Sequence, residues 1–376
     1  LFCQTFDHNK SRLGFICPAL VWHHGRKLLE LSGDGSVASD FAWDPELTVP
    51  EALHSIAAIP GIHARLKPQS FHSVPISQWG VGLPTLMPKW KAPGIKWRLV
   101  VNKSRTPCNR LHSLACRAID VVLNSLPVEY WSDFDSPLGF MRECAEFNTT
   151  AASLFHSFVG ATAAADMVDC FHHLPAQGLA DIWEEACEQP RQLGFTCVSV
   201  PLARGIAGQL GRNDAPGWEC IEFLEISKIL RHFACTNFVA VDGLVGRELR
   251  GVPMGDALSC AALRLHKWRR EQLCRARESR DTVVRPSSRI KVVTLHGQKL
   301  LCMDVSFRDD LRKFCCWEAS SKLSQAQVQS WAWERFCHRF VFGSMRLEGS
   351  DPDSFIGLHT RWGSKGLVVS PDLRDP

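Results

Sequence analysis

The sequence lacks the cysteine spacings that small metal-bound domains require. It has 16 cysteines in 376 residues, but no CxxC pair and no stretch with zinc-finger spacing. A zinc-finger protein is therefore disfavoured. The cysteines are most simply interpreted as reduced, buried thiols of a protein in an intracellular, reducing compartment.

Long apolar runs and repeats are also missing. No run reaches the length of a transmembrane helix, and the N-terminus has no basic segment followed by an apolar one. We therefore expect no membrane partner. The sequence has no internal repeat and no low-complexity tract. It begins at Leu1 instead of Met, so both ends could be cuts in a longer protein.

The composition is that of a globular protein with little net charge. Hydrophobic residues make up 45% of the chain, which supports a core for one large or two ordinary domains. The net charge of +4 is small, so nucleic-acid binding must depend on where the charge lies. The most basic segment, 264–291, has ten Lys and Arg against three Asp and Glu. It predicts either a track for a nucleic-acid backbone or a solvated helix face.

The first candidate acid stands at the end of an apolar run. Residues 161–165 predict a short buried strand, and Asp166 follows directly. Phe171 lies five residues further on. Asp166 could close the strand by hydrogen-bonding a turn, as Asp often does, or it could bind a metal ion. Asp169 is interpreted as a structural or solvent-facing acid.

A second group of acids follows a predicted hairpin far downstream. The hairpin lies within 289–307, and Arg308, Asp309 and Asp310 come directly after it. Two adjacent acids at a tight turn repel each other unless cations lie on them. They could instead begin a helix, where carboxylates favour the positive end of the dipole. Asp304 on the second strand is a weaker metal candidate.

These acids fit the requirements of a two-metal site. Phosphoryl-transfer enzymes of this kind hold ions about 3.5 to 4 Å apart with carboxylates from different segments. Asp166, Asp309 and Asp310 are therefore the predicted catalytic residues and metal ligands. Mg²⁺ is the expected ion, with Mn²⁺ as its alternative.

A basic hairpin precedes both groups of acids. Residues 86–102 contain a Pro-Gly turn with basic flanks, and 97–101 has the pattern of a strand. Arg98 can grip phosphate oxygens with its planar fork, and Lys89 or Lys96 can supply a point charge. The hairpin could bind a triphosphate. It could also be an exposed basic hairpin without a ligand.

Several stretches between these motifs have the apolar spacing of helices. They lie at 109–126, from 137, at 177–189, at 219–235, from 257 and around 328–336. The inward positions that we expect are Leu111, Leu114, Ile119, Val122 and Leu123; Leu138, Met141 and Cys144; Phe223, Leu224, Ile226, Leu230 and Phe233; Leu258, Ala261, Ala262, Leu265 and Trp268; and Val328, Trp331, Ala332 and Phe336.

A glycine-rich loop joins a predicted hairpin at 237–249 to one of these helices. Gly251 and Gly255 lie on either side of a proline, which lets the backbone approach another chain closely. Asp256 or Ser259 can cap the helix that follows. The loop could press on a ligand through Met254 and Gly255, or it could be a plain junction between a loop and a helix.

Five motifs now stand in one order along the chain. They are the basic hairpin, Asp-x4-Phe, Gly-x-Pro-Met-Gly, Phe-x-Asp-Asp and Phe-Ile-Gly-Leu. This order resembles the reverse transcriptase family, and segment 166–175 with the hairpin before Met254 is most similar to Penelope-like and related retroelement enzymes. The resemblance covers about residues 80–366.

The resemblance implies an α+β fold of the right-hand polymerase type, with fingers and a ferredoxin-like antiparallel palm sheet packed by helices. It implies three regions: 1–75 of unknown role, 76–128 with the basic hairpin as fingers, and 129–376 as palm with interleaved fingers elements. Neither a thumb nor an endonuclease motif is evident.

The implied activity is RNA-directed DNA synthesis with Mg²⁺, in which a primer on an RNA or DNA template is extended with deoxynucleoside triphosphates. A retroelement product could be nuclear. By resemblance, Asp166, Asp309 and Asp310 bind the metals, Arg98 with Lys89 and Lys96 grips phosphate, Phe171 gates the sugar, and Met254 and Gly255 face the template.

The chain departs from the family pattern at three positions. Phe307 replaces the Tyr of the Tyr-x-Asp-Asp box, Arg308 is unusual within it, and Asp256 stands where Ser is usual. Two alternatives therefore stay open. One is a catalytically decayed remnant that still binds nucleic acid, and the other is a Cys-rich globular protein of unrelated fold.

Overall fold

The computed structural model describes residues 2–6, 9–29, 41–59, 76–91, 94–127, 132–134, 136–203, 205–278, 283–284, 289–341, 345–356 and 358–371. The chain divides into two compact units, Leu1–Asn124 with Phe171–Leu265, and Ser125–Cys170 with His266–Pro376. The three regions expected from the sequence stay a prediction. None of the helices in the described ranges is long and apolar enough to cross a membrane.

The first unit combines helices with four small antiparallel sheets, ordered β1-β2, β10-β11-β3, β4-β5 and β8-β7-β9. Its elements are β1 (Phe2–Phe6), β2 (Asn9–Ile16), α1 (Pro18–Leu29), β3 (Phe41–Asp44), α2 (Val49–Ala57), a 3-10 turn (Ile76–Gln78), β4 (Leu83–Lys91), β5 (Gly94–Asn102), α3 (Asn109–Ser125), α5 (Cys170–His173), α6 (Leu179–Ala186), α7 (Glu188–Gln192), β7 (Cys197–Pro201), β8 (Gln209–Leu210), β9 (Trp218–Glu222), α8 (Phe223–Cys235), β10 (Phe238–Val241) and β11 (Leu244–Glu248). Helix α9 (Ala257–Glu278) begins in this unit and ends in the other.

Most of the predicted elements of this unit are present. The basic hairpin forms from β4 and β5, the five expected inward positions of α3 are buried, and the hairpin at 237–249 gains β3 as a third strand. The helix predicted at 219–235 begins only at Phe223, because Glu222 caps it and 218–222 pairs as strand β9. The inward position predicted for Leu224 is wrong, since its side chain is 56% exposed.

The second unit is built on one six-stranded sheet in the order β12-β13-β14-β15-β6-β16, and a separate sheet in the order β17-β18-β19. Its elements are α4 (Pro137–Leu154), β6 (Phe158–Val168), β12 (Val283–Val284), β13 (Ile290–Leu295), β14 (Gln298–Phe307), β15 (Asp310–Glu318), α10 (Gln325–Phe340), β16 (Arg346–Gly349), β17 (Ser354–Phe355), β18 (Leu358–Gly363) and β19 (Gly366–Pro371). Helices and antiparallel sheets thus make up both units, which agrees with the α+β class.

The six-stranded sheet is covered on both faces, because alternate residues of β14 and β15 belong to different apolar clusters. On one face Met303 and Phe314 pack with Phe140 of α4 and Phe355 of β17. On the other face the cluster contains Val328 of α10. Leu301, Met303, Val305 and Phe307 share one face of β14 and lie in or against the first of these clusters.

Helix α4 differs from the sequence prediction. Ser136 caps it by accepting a hydrogen bond from the Gly139 amide. Leu138 and Met141, however, are 58% and 42% exposed, and only Cys144 of the three predicted inward residues is buried. The buried stripe runs instead through Phe140, Cys144, Phe147 and Ala151. The predicted and observed stripes therefore share only Cys144.

Asp304 of β14 lies in the interior among three cations. Its carboxylate binds Lys291 at 2.7 Å, Arg339 at 3.0 Å and also Lys313. Burial alone would raise the pKa of Asp304, but the surrounding positive charges outweigh burial and hold that pKa well below its ordinary 3.8. The Asp304 carboxylate is therefore already paired with cations of the protein. The prediction that Asp304 could bind a metal ion is wrong.

Asp304→Asn is expected to lower the free energy of unfolding by about 3–5 kcal/mol, because it leaves three buried cations without their carboxylate. The effect depends on pH with a defined sign. A carboxyl group whose pKa is lowered by folding contributes its full stability above its unfolded pKa of about 3.9, and loses that stability as the pH falls. Urea unfolding of both proteins between about pH 7 and pH 3 measures the difference.

The matched control is Asp353→Asn, which changes an exposed aspartate of the same unit. It should shift stability by at most about 0.5 kcal/mol. A constant difference between wild type and Asp304→Asn down to the lowest pH would contradict the assignment.

Candidate active site

Strands β6 and β15 bring two of the predicted acids together. Asp310 is the register partner of Asp166 across the antiparallel pair, and Glu348 of β16 is the partner of Asp166 on its other side. Residues directly opposite in antiparallel strands have Cβ atoms about 4.5–5.5 Å apart and point to the same face. Three carboxylates thus lie in one row across three strands. Glu348 was not predicted as a site residue, and nothing in the local sequence marks it.

The acidic box forms a tight hairpin turn. Strand β14 ends at Phe307 and β15 begins at Asp310, so Arg308 and Asp309 are the two turn residues. The alternative that Asp309 and Asp310 begin a helix is therefore wrong. The Asp309 carbonyl accepts a hydrogen bond from the Met167 amide at 3.1 Å, which fastens the turn to β6. Arg308 has a φ of 51°, a conformation that residues with a side chain rarely adopt.

A buried arginine lies next to the paired acids. Arg312 of β15 is 3% exposed, and its guanidinium donates to Ser350 Oγ at 3.0 Å and to the Ser354 carbonyl at 2.7 Å. Its Nη1 also lies 3.7 Å from Asp310 Oδ1. Burial lowers the pKa of Arg312, while Asp310, Asp351 and Asp166 raise it. Arginine keeps its proton in proteins, so this side chain is a permanent positive charge beside the carboxylates.

Sequence reasoning missed the role of this arginine. Arg312 is directed inward, and its guanidinium donates to Ser350, Asp351 and Ser354, which connects 350–354 to the sheet. The repulsion between neighbouring acids is therefore relieved partly by the protein itself. The signal that could have found it is the alternation of β15, which places Arg312 on the same face as Asp310.

The donor set of the site fits Mg²⁺. Mg²⁺ in enzymes is usually held by one or two carboxylates, with water and substrate phosphates as the other ligands. Asp166 and Asp310 supply two hard oxygen donors on one face, and Glu348 lies in the same row. No group of three or more acidic, His or Cys side chains arranged around a single ion is found in the described part of the chain.

The predicted nucleotide-binding residues belong to the first unit, where main-chain hydrogen bonds connect their segments. The Val252 amide donates to the Phe171 carbonyl at 2.8 Å, and the Val101 amide donates to the Met254 carbonyl at 2.7 Å. The glycine-rich loop thus contacts both α5 and β5, the strand that carries Arg98. Asp166 and Phe171, though close in sequence, fall in different units.

Gly255 has a steric reason to be glycine. Its φ is 119°, and a Cβ placed on it would lie 2.4 Å from the Val101 carbonyl oxygen. Any side chain would force the loop away from β5. The close approach anticipated from the sequence is thus present, and the atom approached is the backbone of the basic hairpin.

Asp256 has a structural role in place of the usual Ser. Its carboxylate accepts from the Leu258 amide at 2.9 Å, which caps α9, and lies 2.9 Å from His112 Nδ1. The Lys103 ammonium is 4.0 Å away. Burial alone would raise the pKa of Asp256, but His112 and Lys103 outweigh it and lower the pKa to about 2. An ionised carboxylate only accepts hydrogen bonds, so His112 Nδ1 must be the donor.

Several described cations of the basic segment 264–291 have partners within the protein. Arg264 pairs with Asp120, Arg270 donates to the main chain of α10, and Lys291 binds Asp304. Arg289 pairs with Glu143 at 3.5 Å. The nucleic-acid track at 264–291 stays a prediction. The side chains of 275–288 lie outside the described residues, as do those of Lys89 and Lys96.

Arg312→Met is expected to lower the free energy of unfolding by about 3 kcal/mol, because buried carbonyl acceptors lose their charged donor and Asp310 loses a nearby positive charge. Added MgCl₂ should raise the melting temperature of this variant more than that of wild type, because the carboxylates then lack their internal cation. Thermal unfolding with and without MgCl₂ measures both effects.

Arg346→Met is the control, since Arg346 is an exposed residue of β16. Its response to MgCl₂ should equal that of wild type. An equal response from Arg312→Met would mean that Arg312 does not offset the charge of the acids.

The fold is similar to that of solved telomerase structures. No family model and no curated protein matches the chain. The telomerase of Candida tropicalis in complex with a TWJ fragment of telomeric RNA aligns with a TM-score of 0.54 and 11% identity over 98% of this chain and 50% of that one. The apo telomerase of the same organism aligns with a TM-score of 0.52 and 12% identity over 82% and 49%.

A third structure comes from a second species. The telomerase of Candida albicans with the TWJ fragment aligns with a TM-score of 0.50 and 12% identity over 80% of this chain and 48% of that one. The chain thus spans about half the length of each of these three telomerase chains. At this low identity the likeness concerns the fold alone, and the chain has a reverse-transcriptase-like fold.

Proposed function

We propose that the chain is the RNA-directed DNA polymerase region of a retroelement, which extends a primer 3′-hydroxyl by two-metal nucleotidyl transfer. The observation that carries this proposal is the register pairing of Asp310 with Asp166 beside the Asp309 turn. The likeness to telomerase structures that contain RNA supports a template strand of RNA, or of DNA, as partner. The second unit then corresponds to the palm.

The acids of the second unit would act as metal ligands. Asp166 and Asp310 would each present oxygens toward the same space, and Asp309 in the turn would complete the acidic edge. When bound, a pair of Mg²⁺ ions lowers the pKa of the primer hydroxyl and neutralises charge on the triphosphate. Arg312 keeps the carboxylates from repelling each other before substrate arrives.

The first unit would bind the nucleotide and the template. Arg98 would grip the triphosphate with its planar fork, with Lys89 and Lys96 as further cations. Phe171 would lie beneath the sugar, where its ring would exclude a 2′-hydroxyl and favour deoxynucleotides. Met254 and Gly255 would face the template. The proposed compartment is intracellular and reducing, and nuclear for a retroelement product.

A second candidate is a decayed polymerase that binds nucleic acid without catalysis. Arg312 favours this candidate. Its permanent positive charge lies 3.7 Å from Asp310 and neutralises part of the negative charge that a metal ion would otherwise neutralise. Arg308 within the acidic box, with its guanidinium over the Phe307 ring, is a further departure from the family pattern. The two candidates share a fold and differ in whether primers are extended.

Asp166→Asn should reduce primer extension on a poly-rA template by at least about 100-fold, because the amide cannot bridge cations as the carboxylate does. The rate is measured with an oligo-dT primer, dTTP and MgCl₂. Asp310→Asn should have a similar effect. Binding of a labelled primer-template duplex, measured by gel shift, should stay within about threefold of wild type.

Asp353→Asn, an exposed change in the same unit, should extend primers at the wild-type rate. If wild type and Asp166→Asn extend equally, catalysis at this site is refuted. A wild-type protein that shifts the duplex but extends nothing would instead establish the decayed candidate.

A further inference from the structure

Lys267 of α9 is a fully buried cation with two partners in the second unit. Its side chain is 0% exposed. The ammonium lies 2.8 Å from Asp133 Oδ1 and donates to the Arg308 carbonyl at 2.7 Å. Because its side chain points into the interior, Lys267 cannot reach solvent or substrate. Its contact with the Arg308-Asp309 turn is therefore buried.

The turn is held at two successive carbonyls. Lys267 donates to the carbonyl of Arg308, and the Met167 amide donates to that of Asp309. Arg308 has a positive φ, which costs free energy for a residue with a side chain unless its surroundings fix it. The two hydrogen bonds orient both peptide planes of the turn, and therefore the directions in which Asp309 and Asp310 leave it.

The position of Lys267 is itself fixed by a buried network. Asp133 is the counter-ion of Lys267. Its backbone forms an isolated β-bridge with Ser306 of β14, next to the turn. The neighbouring Ser132 hydroxyl and amide both donate to Glu271, one helical turn after Lys267 on α9. The ammonium is thus held by Asp133 and the Arg308 carbonyl, and the segment that carries Asp133 is itself fixed by hydrogen bonds. Second contacts of this kind pre-organise a functional geometry.

We propose that Lys267 is a positioning residue that holds the Arg308-Asp309 turn, and with it the acids, in the geometry for nucleotidyl transfer. This inference rests on the proposed function for its kinetic consequence. Its structural consequence, a closed turn, does not depend on activity. Lys267 would act through the Arg308 carbonyl and would touch neither nucleotide nor metal.

Four variants separate the two roles of the side chain. Lys267→Met removes the contact with the turn but leaves Asp133 buried without a cation, so it could fail to fold. Lys267→Met with Asp133→Asn removes the charge pair as a whole and keeps the interior neutral. Asp133→Asn alone keeps the Lys267 donor. Arg270→Met is the matched control, because Arg270 lies on the same helix and donates to α10 instead.

Hydrogen exchange tests the structural part without substrate or metal. Peptides that contain Met167, whose amide donates to the turn, should exchange at least about tenfold faster in the double variant than in wild type. Asp133→Asn and Arg270→Met should exchange within about threefold of wild type. Unchanged exchange in the folded double variant would overturn the inference, whether or not the wild type has polymerase activity.

Primer extension tests the kinetic part. In the double variant kcat should fall at least about tenfold, the KM for dTTP should stay within about twofold, and half-maximal rate should need more MgCl₂. A wild type that extends no primer refutes the proposed function, and exchange then decides alone whether Lys267 holds the turn. Faster exchange with an unchanged kcat would overturn the positioning role.

Discussion

The antiparallel pairing of β6 with β15 is the interaction on which the candidate site depends. It runs through nine register pairs, from Phe158 with Glu318 to Asp166 with Asp310. Because side chains alternate with a period of two, a slip of one residue would exchange the two faces of β15. Phe314 would then leave its aromatic neighbours, and Lys313 would lose Asp304. The apolar clusters on both faces and the buried charge pair therefore enforce the same register, and Asp310 meets Asp166 as a consequence.

Buried charges, more than apolar contacts, distinguish the β14–β15 hairpin and its surroundings from an ordinary β-hairpin. Lys313, Arg312 and Lys267 are all buried, and each has a carboxylate of the second unit within reach. A buried ion pair adds little net stability over an apolar pair, but removing one partner is strongly unfavourable. These pairs therefore specify one arrangement of the turn against its neighbours. They also explain why the strand after the acidic box is less apolar than a buried strand usually is.

Local patterns in the sequence predicted the local structure well. The stripe of α3, the basic hairpin and the hairpin at 237–249 each depend on residues within a few positions, and each is present. The errors at Leu138, Met141 and Leu224 arose where several apolar residues competed for the inward face of a helix. Contacts between distant segments could not be inferred, and Lys267 and Asp133 are 134 residues apart. A basic run is ambiguous for the same reason: its charges look like a surface until their partners are known.

The order of motifs along the chain does not follow the order of the units. The chain passes from one unit to the other at 124–125, 170–171 and 265–266. The second boundary lies after the first residue of α5, so Asp166 and Phe171 of one sequence motif belong to different units. Within the first unit, hydrogen bonds from Val252 to Phe171 and from Val101 to Met254 connect three motifs through their main chains. Within the second, Met167 and Lys267 hold the turn that carries the acids. Each set therefore derives its local geometry from backbone carbonyls of its own unit. Since a carbonyl is present whatever the side chain, the accepting residues can change without loss of these contacts, whereas the contact made by the Lys267 side chain requires a donor at that position.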